Sequence, residues 1–208
     1  MIFKDAAKLF GAIVATRSKS GVLKNDYKLL GLDQGKRQIG LCLTYDTSLE
    51  VKHLSVIECY HKKKHGGHIK PLSLIAQELG EHECCLAEHN IDALVFKYPK
   101  LDPRLLEQLM QQPDFVDGRV RVTEFVDSIS ELDPLQNVLY TYWDEAFPHS
   151  NALKAFKEDE QNTFSWPKFK KWKKMEIAKY TLEGFIEEHG PRDSESQFSL
   201  NLICGNMP

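Results

Sequence analysis

The chain has no excess of basic residues: 27 Lys and Arg stand against 30 Asp and Glu, a formal net charge of -3 over 208 residues. A protein whose whole surface grips nucleic acid is basic overall, so any such role here must rest on local patches. There is no disulfide framework either. The five cysteines, Cys42, Cys59, Cys84, Cys85 and Cys204, are odd in number and follow no regular spacing, which points to free thiols and an intracellular, reducing compartment. Whether that is organelle, cytosol or nucleus stays open. No apolar run approaches the ~20 residues that span a bilayer, so no membrane partner is expected. Internal repeats are absent. His61, His65, His68, His82, Cys84, Cys85 and His89 do not form the paired thiols and imidazoles of a structural zinc site.

What is present is an ordinary globular composition. With 42% hydrophobic and 27% charged residues, the chain has material for a core and too little charge for disorder. Its length suits one domain. Residues 1–27 are expected to form an N-terminal helix and linker, mildly amphipathic through Phe3, Leu9, Phe10 and Ile13. A docking helix fits this stretch better than an organelle transit segment, because Asp5 interrupts it. Residues 28–190 form the expected main domain and 191–208 a polar tail. Strands are expected at YKLLGLDQG, QIGLCLTYD and LEVKHLSVIECY, then at IDALVFKYP and NVLYTYWDE. Helices are expected over 72–90, from Pro103, and from Ser150 to the stop at Gly190-Pro191. The run FVDGRVRVTEFVDSIS fits either period. Clustered strands followed by alternation with helices give an α/β class with a mixed sheet.

Two apolar runs end in acids. In LLGLDQGKRQIGL, Asp33 closes a strand before a Gly35 turn, where a substrate backbone could approach closely. Lys36 and Arg37 stand beside it as phosphate partners. A carboxylate held at a strand end can bind a hard cation such as Mg²⁺; equally, D-x-G is common in plain turns. In VLYTYWDEAF, Asp144 and Glu145 end a second strand. They can share a cation that activates water or cap the following helix.

A third feature is basic. Lys168, Lys170, Lys171, Lys173, Lys174 and Lys179 are interleaved with Trp166, Phe169 and Trp172, a composition suited to single-stranded nucleic acid or to a helix that buries its rings and solvates its lysines. The loop from His61 to His68 is a second basic stretch, read as a solvated hairpin tip or a further phosphate contact.

Taken together, the first strand (Leu30-Gly31-Leu32-Asp33-Gln34-Gly35-Lys36-Arg37-Gln38-Ile39-Gly40), Pro71-Leu72, Ala93 to Pro99 and the TYWDE strand end resemble the YqgF family in its plant-type branch. These are ribonuclease H-like proteins described as Holliday junction resolvases or ribosomal RNA precursor nucleases. The resemblance runs from about Lys28 to His189. It implies a ribonuclease H-like mixed five-stranded sheet flanked by helices, and a Mg²⁺ or Mn²⁺ ion held by Asp33 and Asp144, with Glu145 as a further catalytic acid. It implies a phosphodiester hydrolase acting on RNA or branched DNA and allows a homodimer; the nucleic-acid contacts expected from the basic residues themselves are Lys36, Arg37, Lys170, Lys171, Lys173 and Lys174.

The chain departs from that pattern at telling places. Aligning Ala178, Leu182 and Phe185 with the family's last helix puts Lys174 where a third acid belongs. Glu176 lies two residues on, about 200° around a helix. The glycine of the V-G-x-P strand is Lys97, and the arginine after the acidic pair is Ala146. A lysine cannot coordinate the ion and competes with its charge. Two functions are therefore expected in competition: a metal-dependent nuclease, or a catalytically inactive ribonuclease H-like module that binds nucleic acid or a protein. A sugar kinase-like or actin-like ATPase opens with a similar strand but needs two such domains.

Overall fold

A computed structural model describes residues 2–3, 6–19, 27–45, 50–61, 68–81, 91–99, 103–111, 117–130, 135, 138–143, 148–158 and 165–190. The strands are β1 (Ile2–Phe3), β2 (Leu29–Gln34), β3 (Gln38–Tyr45), β4 (Glu50–Glu58), β5 (Tyr60–His61), β6 (His68–Ile69), β7 (Ala93–Lys97) and β8 (Leu139–Trp143). The helices are α1 (Ala6–Lys19), α2 (Leu72–Glu81), α3 (Pro103–Met110), α4 (Gly118–Ser130), α5 (Pro148–Glu158) and α6 (Trp166–His189).

The main sheet runs β4-β3-β2-β7-β8, with the two-residue β1 added beside β8. β2, β3 and β4 form an antiparallel meander; β7 and β8 continue parallel to β2. This is the mixed five-stranded α/β sheet flanked by helices that the order of strands and helices implies. β2 lies at its centre and is buried from Leu29 to Asp33, as a strand covered on both faces should be. Two hydrogen bonds fix the start of the β2–β7 pair: the Asp92 amide donates to the Lys28 carbonyl at 2.8 Å, and the Lys28 amide donates to Asp92 Oδ2 at 2.8 Å.

Strand alternation divides the core. Leu30, Leu32, Ile39, Leu41, Leu94 and Phe96 meet α2 and α4 on one face. Leu29, Cys42, Ala93 and Val95 meet Leu9 and Ile13 of α1 and Ala178, Leu182 and Phe185 of α6 on the other. The N-terminal helix thus packs on the sheet of the main domain. None of the described helices is long and apolar enough to cross a membrane.

The run of ambiguous period is the helix α4. Its alternating Arg-Val-Arg-Val start imitates a strand, but Val122, Phe125, Val126 and Ile129 bury one helical stripe. Asp117 caps it by accepting the Arg119 amide at 2.9 Å; the Arg119 side chain holds the Asp117 carboxyl below its usual range. The helix expected over 72–90 is described as far as Glu81, and 82–90, with His82, Cys84, Cys85 and His89, lie outside the described residues.

Two glycines bring α6 down onto the β2–β3 hairpin. A Cβ at Gly40 would stand 2.1 Å from the Lys174 carbonyl oxygen, and one at Gly31 would stand 2.9 Å from Leu182 Cβ and 2.6 Å from Cys42 Sγ. Without side chains there, the helix lies against the strands themselves.

Candidate functional site

Asp33 stands where β2 and β7 present their C-terminal ends, the usual ligand crevice of an open α/β sheet. It pairs with Gly40 across the hairpin. One residue beyond the Leu32–Phe96 pair it faces Lys97, which pairs in turn with Trp143. Gly40, Asp33, Lys97 and Trp143 therefore form one row across the sheet. The row shares its face with α6, since Asp33 alternates with Leu29 and Gly31, and Lys97 with Ala93 and Val95.

Both oxygens of Asp33 face ammonium groups. Lys174 Nζ donates to Oδ2 at 2.7 Å, and Lys97 Nζ lies 3.6 Å from Oδ1. The Asp33 side chain is 4% exposed, that of Lys97 10% and that of Lys174 24%. The two lysines that depart from the YqgF-type pattern thus converge on its first acid. A buried carboxylate demands a countercharge, and here two lysines supply it.

The described groups at Asp33 do not by themselves fit a divalent ion. A hard cation needs converging anionic or carbonyl oxygens, whereas the described groups at Asp33 add one negative and two positive charges. Among the described residues, no group of three His, Cys, Asp or Glu side chains is placed to hold a metal. Asp144 and Glu145, expected as the other acids, lie outside the described residues, as does Ala146. Glu176 is engaged elsewhere: its Oε2 lies 2.6 Å from His53 Nε2. Burial works to raise that carboxyl, but the His53 hydrogen bond and the nearby Lys179 outweigh it and hold it below the ordinary range.

The Gly35 turn is tight, with its amide donating to the Gln38 carbonyl at 2.9 Å. The space above it, expected to admit a substrate backbone, is filled by Lys174: a Cβ at Gly35 would meet Lys174 Nζ at 2.6 Å. Lys36 and Arg37 are exposed on this turn, with the Arg37 guanidinium 5.9 Å from the centre of the Tyr60 ring.

On the first turns of α6, Lys168, Lys170 and Lys171 are exposed and Lys173 half-buried. Lys171 pairs with Glu58 at 3.0 Å, the carboxylate that also accepts from Gln38 Nε2 at 3.0 Å. This ties the start of α6 to the sheet end carrying Lys36 and Arg37. Lys174 turns inward to Asp33 and is not presented to solvent with its neighbours. The aromatic residues between the lysines are partly packed. Phe169 lies 4.3 Å from Phe156 of α5, and Trp172 lies 5.6 Å from Phe156 and 6.5 Å from His53, all between ring centres. Trp166 is 65% exposed.

His53 and Phe156 are the participants that the sequence does not announce. His53 reads as an outward residue of an edge strand, and only the strand–helix packing reveals its partners. The basic loop residues 62–67 lie outside the described residues.

No protein-family model matches the chain, and no curated protein sequence matches it. Solved structures do show likeness. The RuvC of T. thermophilus in complex with Holliday junction substrate aligns at 11% identity and a TM-score of 0.39, covering 78% of this chain and 96% of that one. A second Thermus thermophilus RuvC structure aligns at 11% identity and a TM-score of 0.42, with the same coverage. The fowlpox virus Holliday junction resolvase aligns at 11% identity and a TM-score of 0.40, covering 77% and 98%.

Proposed function

We propose that this chain is a nucleic-acid-binding module on a ribonuclease H-like sheet whose acid site is closed by lysines. In this reading it holds phosphates and does not hydrolyse them by the metal route at Asp33. The observation that carries the loss of hydrolysis is the double countercharge on Asp33, 2.7 Å to Lys174 and 3.6 Å to Lys97. An ion entering there would have to displace two ammonium groups from a buried carboxylate, and among the described residues it would find one acid, Asp33. The exposed cations Lys36, Arg37, Lys168 and Lys170, joined by Lys173, support the binding. They lie at one end of the sheet, so the patch is basic although the chain as a whole is not. The YqgF-type resemblance of the first strand and of TYWDE favours structured RNA, such as a ribosomal RNA precursor, or branched DNA as the ligand class.

A metal-dependent nuclease is the competing reading. It draws on Asp33 itself, still buried at the strand end, and on the position of Asp144 directly after Trp143. Anisotropy and gel assays on a labelled RNA hairpin and a DNA four-way junction separate the two. Salt-sensitive binding that persists in EDTA and in Asp33→Asn, with no cleavage in Mg²⁺ or Mn²⁺, is the expected result. Cleavage that needs Mn²⁺ or Mg²⁺ and disappears in Asp33→Asn would refute the closed-site reading.

A further inference from the structure

The start of α6 presents an aromatic stack that is fixed at one end and open at the other. Trp166, Phe169 and Trp172 recur every three residues and stack face to face: Trp166 on Phe169 at 5.4 Å and 27°, Phe169 on Trp172 at 6.3 Å and 22°. Phe156 packs against the two inner rings. His53, itself bonded to buried Glu176, closes the inner end edge-on. The outer ring, Trp166, is 65% exposed, with the Lys170 ammonium 5.2 Å from its centre. A lone exposed aromatic is ordinary. An exposed one that continues a ring stack braced by two further elements is a pre-formed surface, and its side-chain entropy is already largely spent.

Charge chooses the occupant. Lys171 and Lys174 are neutralised by Glu58 and Asp33. Lys168 and Lys173 make no ion pair among the described residues, and Lys170 engages the ring. A flat π-face amid uncommitted cations matches an unpaired base with its flanking phosphates. Duplex ends aside, paired bases are shielded by their own stack and cannot reach Trp166.

We infer that Trp166 and the stack behind it form a platform for unpaired bases, so that the preferred ligand is single-stranded nucleic acid or the unpaired part of a structured one. This rests on the nucleic-acid-binding reading above. It adds a strandedness preference and assigns it to one side chain.

The test compares the full chain with Trp166→Ala, Trp166→Phe and Lys170→Gln. The probes are a fluorescein-labelled oligouridylate and oligothymidylate of about 20 nucleotides and a blunt duplex of equal length, read by anisotropy across a salt series. Base stacking predicts that Trp166→Ala weakens single-strand binding about tenfold or more and leaves duplex binding unchanged, with Trp166→Phe retaining most of the affinity. Five phosphate contacts from Lys36, Arg37, Lys168, Lys170 and Lys173 would give a salt slope of roughly -3.5 on single strands, and Lys170→Gln would flatten it by about 0.7. Equal affinity for single strand and duplex, untouched by Trp166→Ala, would overturn this inference and leave the binding function standing. Binding to no nucleic acid at all would overturn both. Because Trp166 is mostly solvent-exposed, the variant should melt with the parent; a parallel thermal melt checks this.

Discussion

Asp33→Asn separates a lysine-closed site from an acid cluster awaiting a cation by the sign of its effect on stability. Where several carboxylates crowd a metal-free site, removing one charge relieves repulsion and the protein gains stability. Here the substitution strips the shared counterion from two partly buried ammonium groups. At 2.7 Å and 3.6 Å, with an effective dielectric constant of about 20, the gross attractions lost are about 6 and 5 kcal/mol before desolvation is counted. Breaking one partner from a buried pair costs about 3–5 kcal/mol net. Lys174, 24% exposed, can swing outward, which favours the lower figure. The expected loss is therefore about 3 kcal/mol, or about 6–12 °C in Tm for a chain of this size. Urea denaturation in EDTA measures it directly. A double-mutant cycle with Lys174→Met should return a coupling of about 1–3 kcal/mol. An Asp33→Asn protein as stable as the parent, or more stable, would refute the reasoning.

Four further outcomes follow from the same geometry. Replacing both cations, Lys97→Gly with Lys174→Asp, puts two acids where one acid and two lysines stood, and calorimetry should then show millimolar Mn²⁺ binding absent from the parent; equal binding by both proteins counts against the closed site. Gly40→Ala should cost about 3 kcal/mol in urea, the upper range for overpacking, because its Cβ would sit 2.1 Å from the Lys174 carbonyl oxygen; an unchanged midpoint would mean that α6 does not bear on the hairpin. Glu176, held below the ordinary carboxylate range in the fold, contributes stability that is present above the unfolded value of about 4.3 and fades as pH falls through its lower folded value, so Glu176→Gln should flatten the acid limb of the stability curve below about pH 4. Burial pushes the Cys59 thiol up to about 11 and the Cys42 thiol well above its usual value, so neither should alkylate at pH 8 until the protein unfolds, as peptide mass mapping will show.

Much of the sheet was legible because its strands are short apolar runs closed by turn residues, and Leu29 to Gln34 carries the centre of the fold almost unaided. The α4 segment was not legible: Arg119-Val120-Arg121-Val122 alternates like a strand, and only the spacing from Val122 to Ile129 reveals its helix. For the site, sequence located Asp33, Lys97 and Lys174 but not their meeting. The sequence separation of 141 between Asp33 and Lys174 is closed by α6 riding on Gly31 and Gly40, whose close approach no local pattern encodes. The Gly35 turn offers room for a substrate only where the space above it is empty, and Lys174 fills that space. His53 stayed invisible for a related reason, since an outward residue on an edge strand acquires a role only from the helix laid across it.

The two halves of α6 should separate experimentally. From Lys174 onward the helix is held by Asp33, Gly40, Gly31 and the core around Leu182 and Phe185. Its first turns are held by Phe156, His53 and the Lys171–Glu58 pair, none of which touches Asp33. Loss of the Asp33 charge should therefore lower the melting point while leaving affinity for a single strand within about twofold, since distant sites without shared partners act independently. Trp166→Ala should do the reverse, weakening binding about tenfold at an unchanged melting point. Measured on the same preparations, these opposite patterns would mark Asp33 as a structural anchor and Trp166 as a ligand contact. A matching loss of affinity in Asp33→Asn at a temperature where the variant is fully folded would show that the acid still faces the nucleic acid, and the closed-site reading would fall with it.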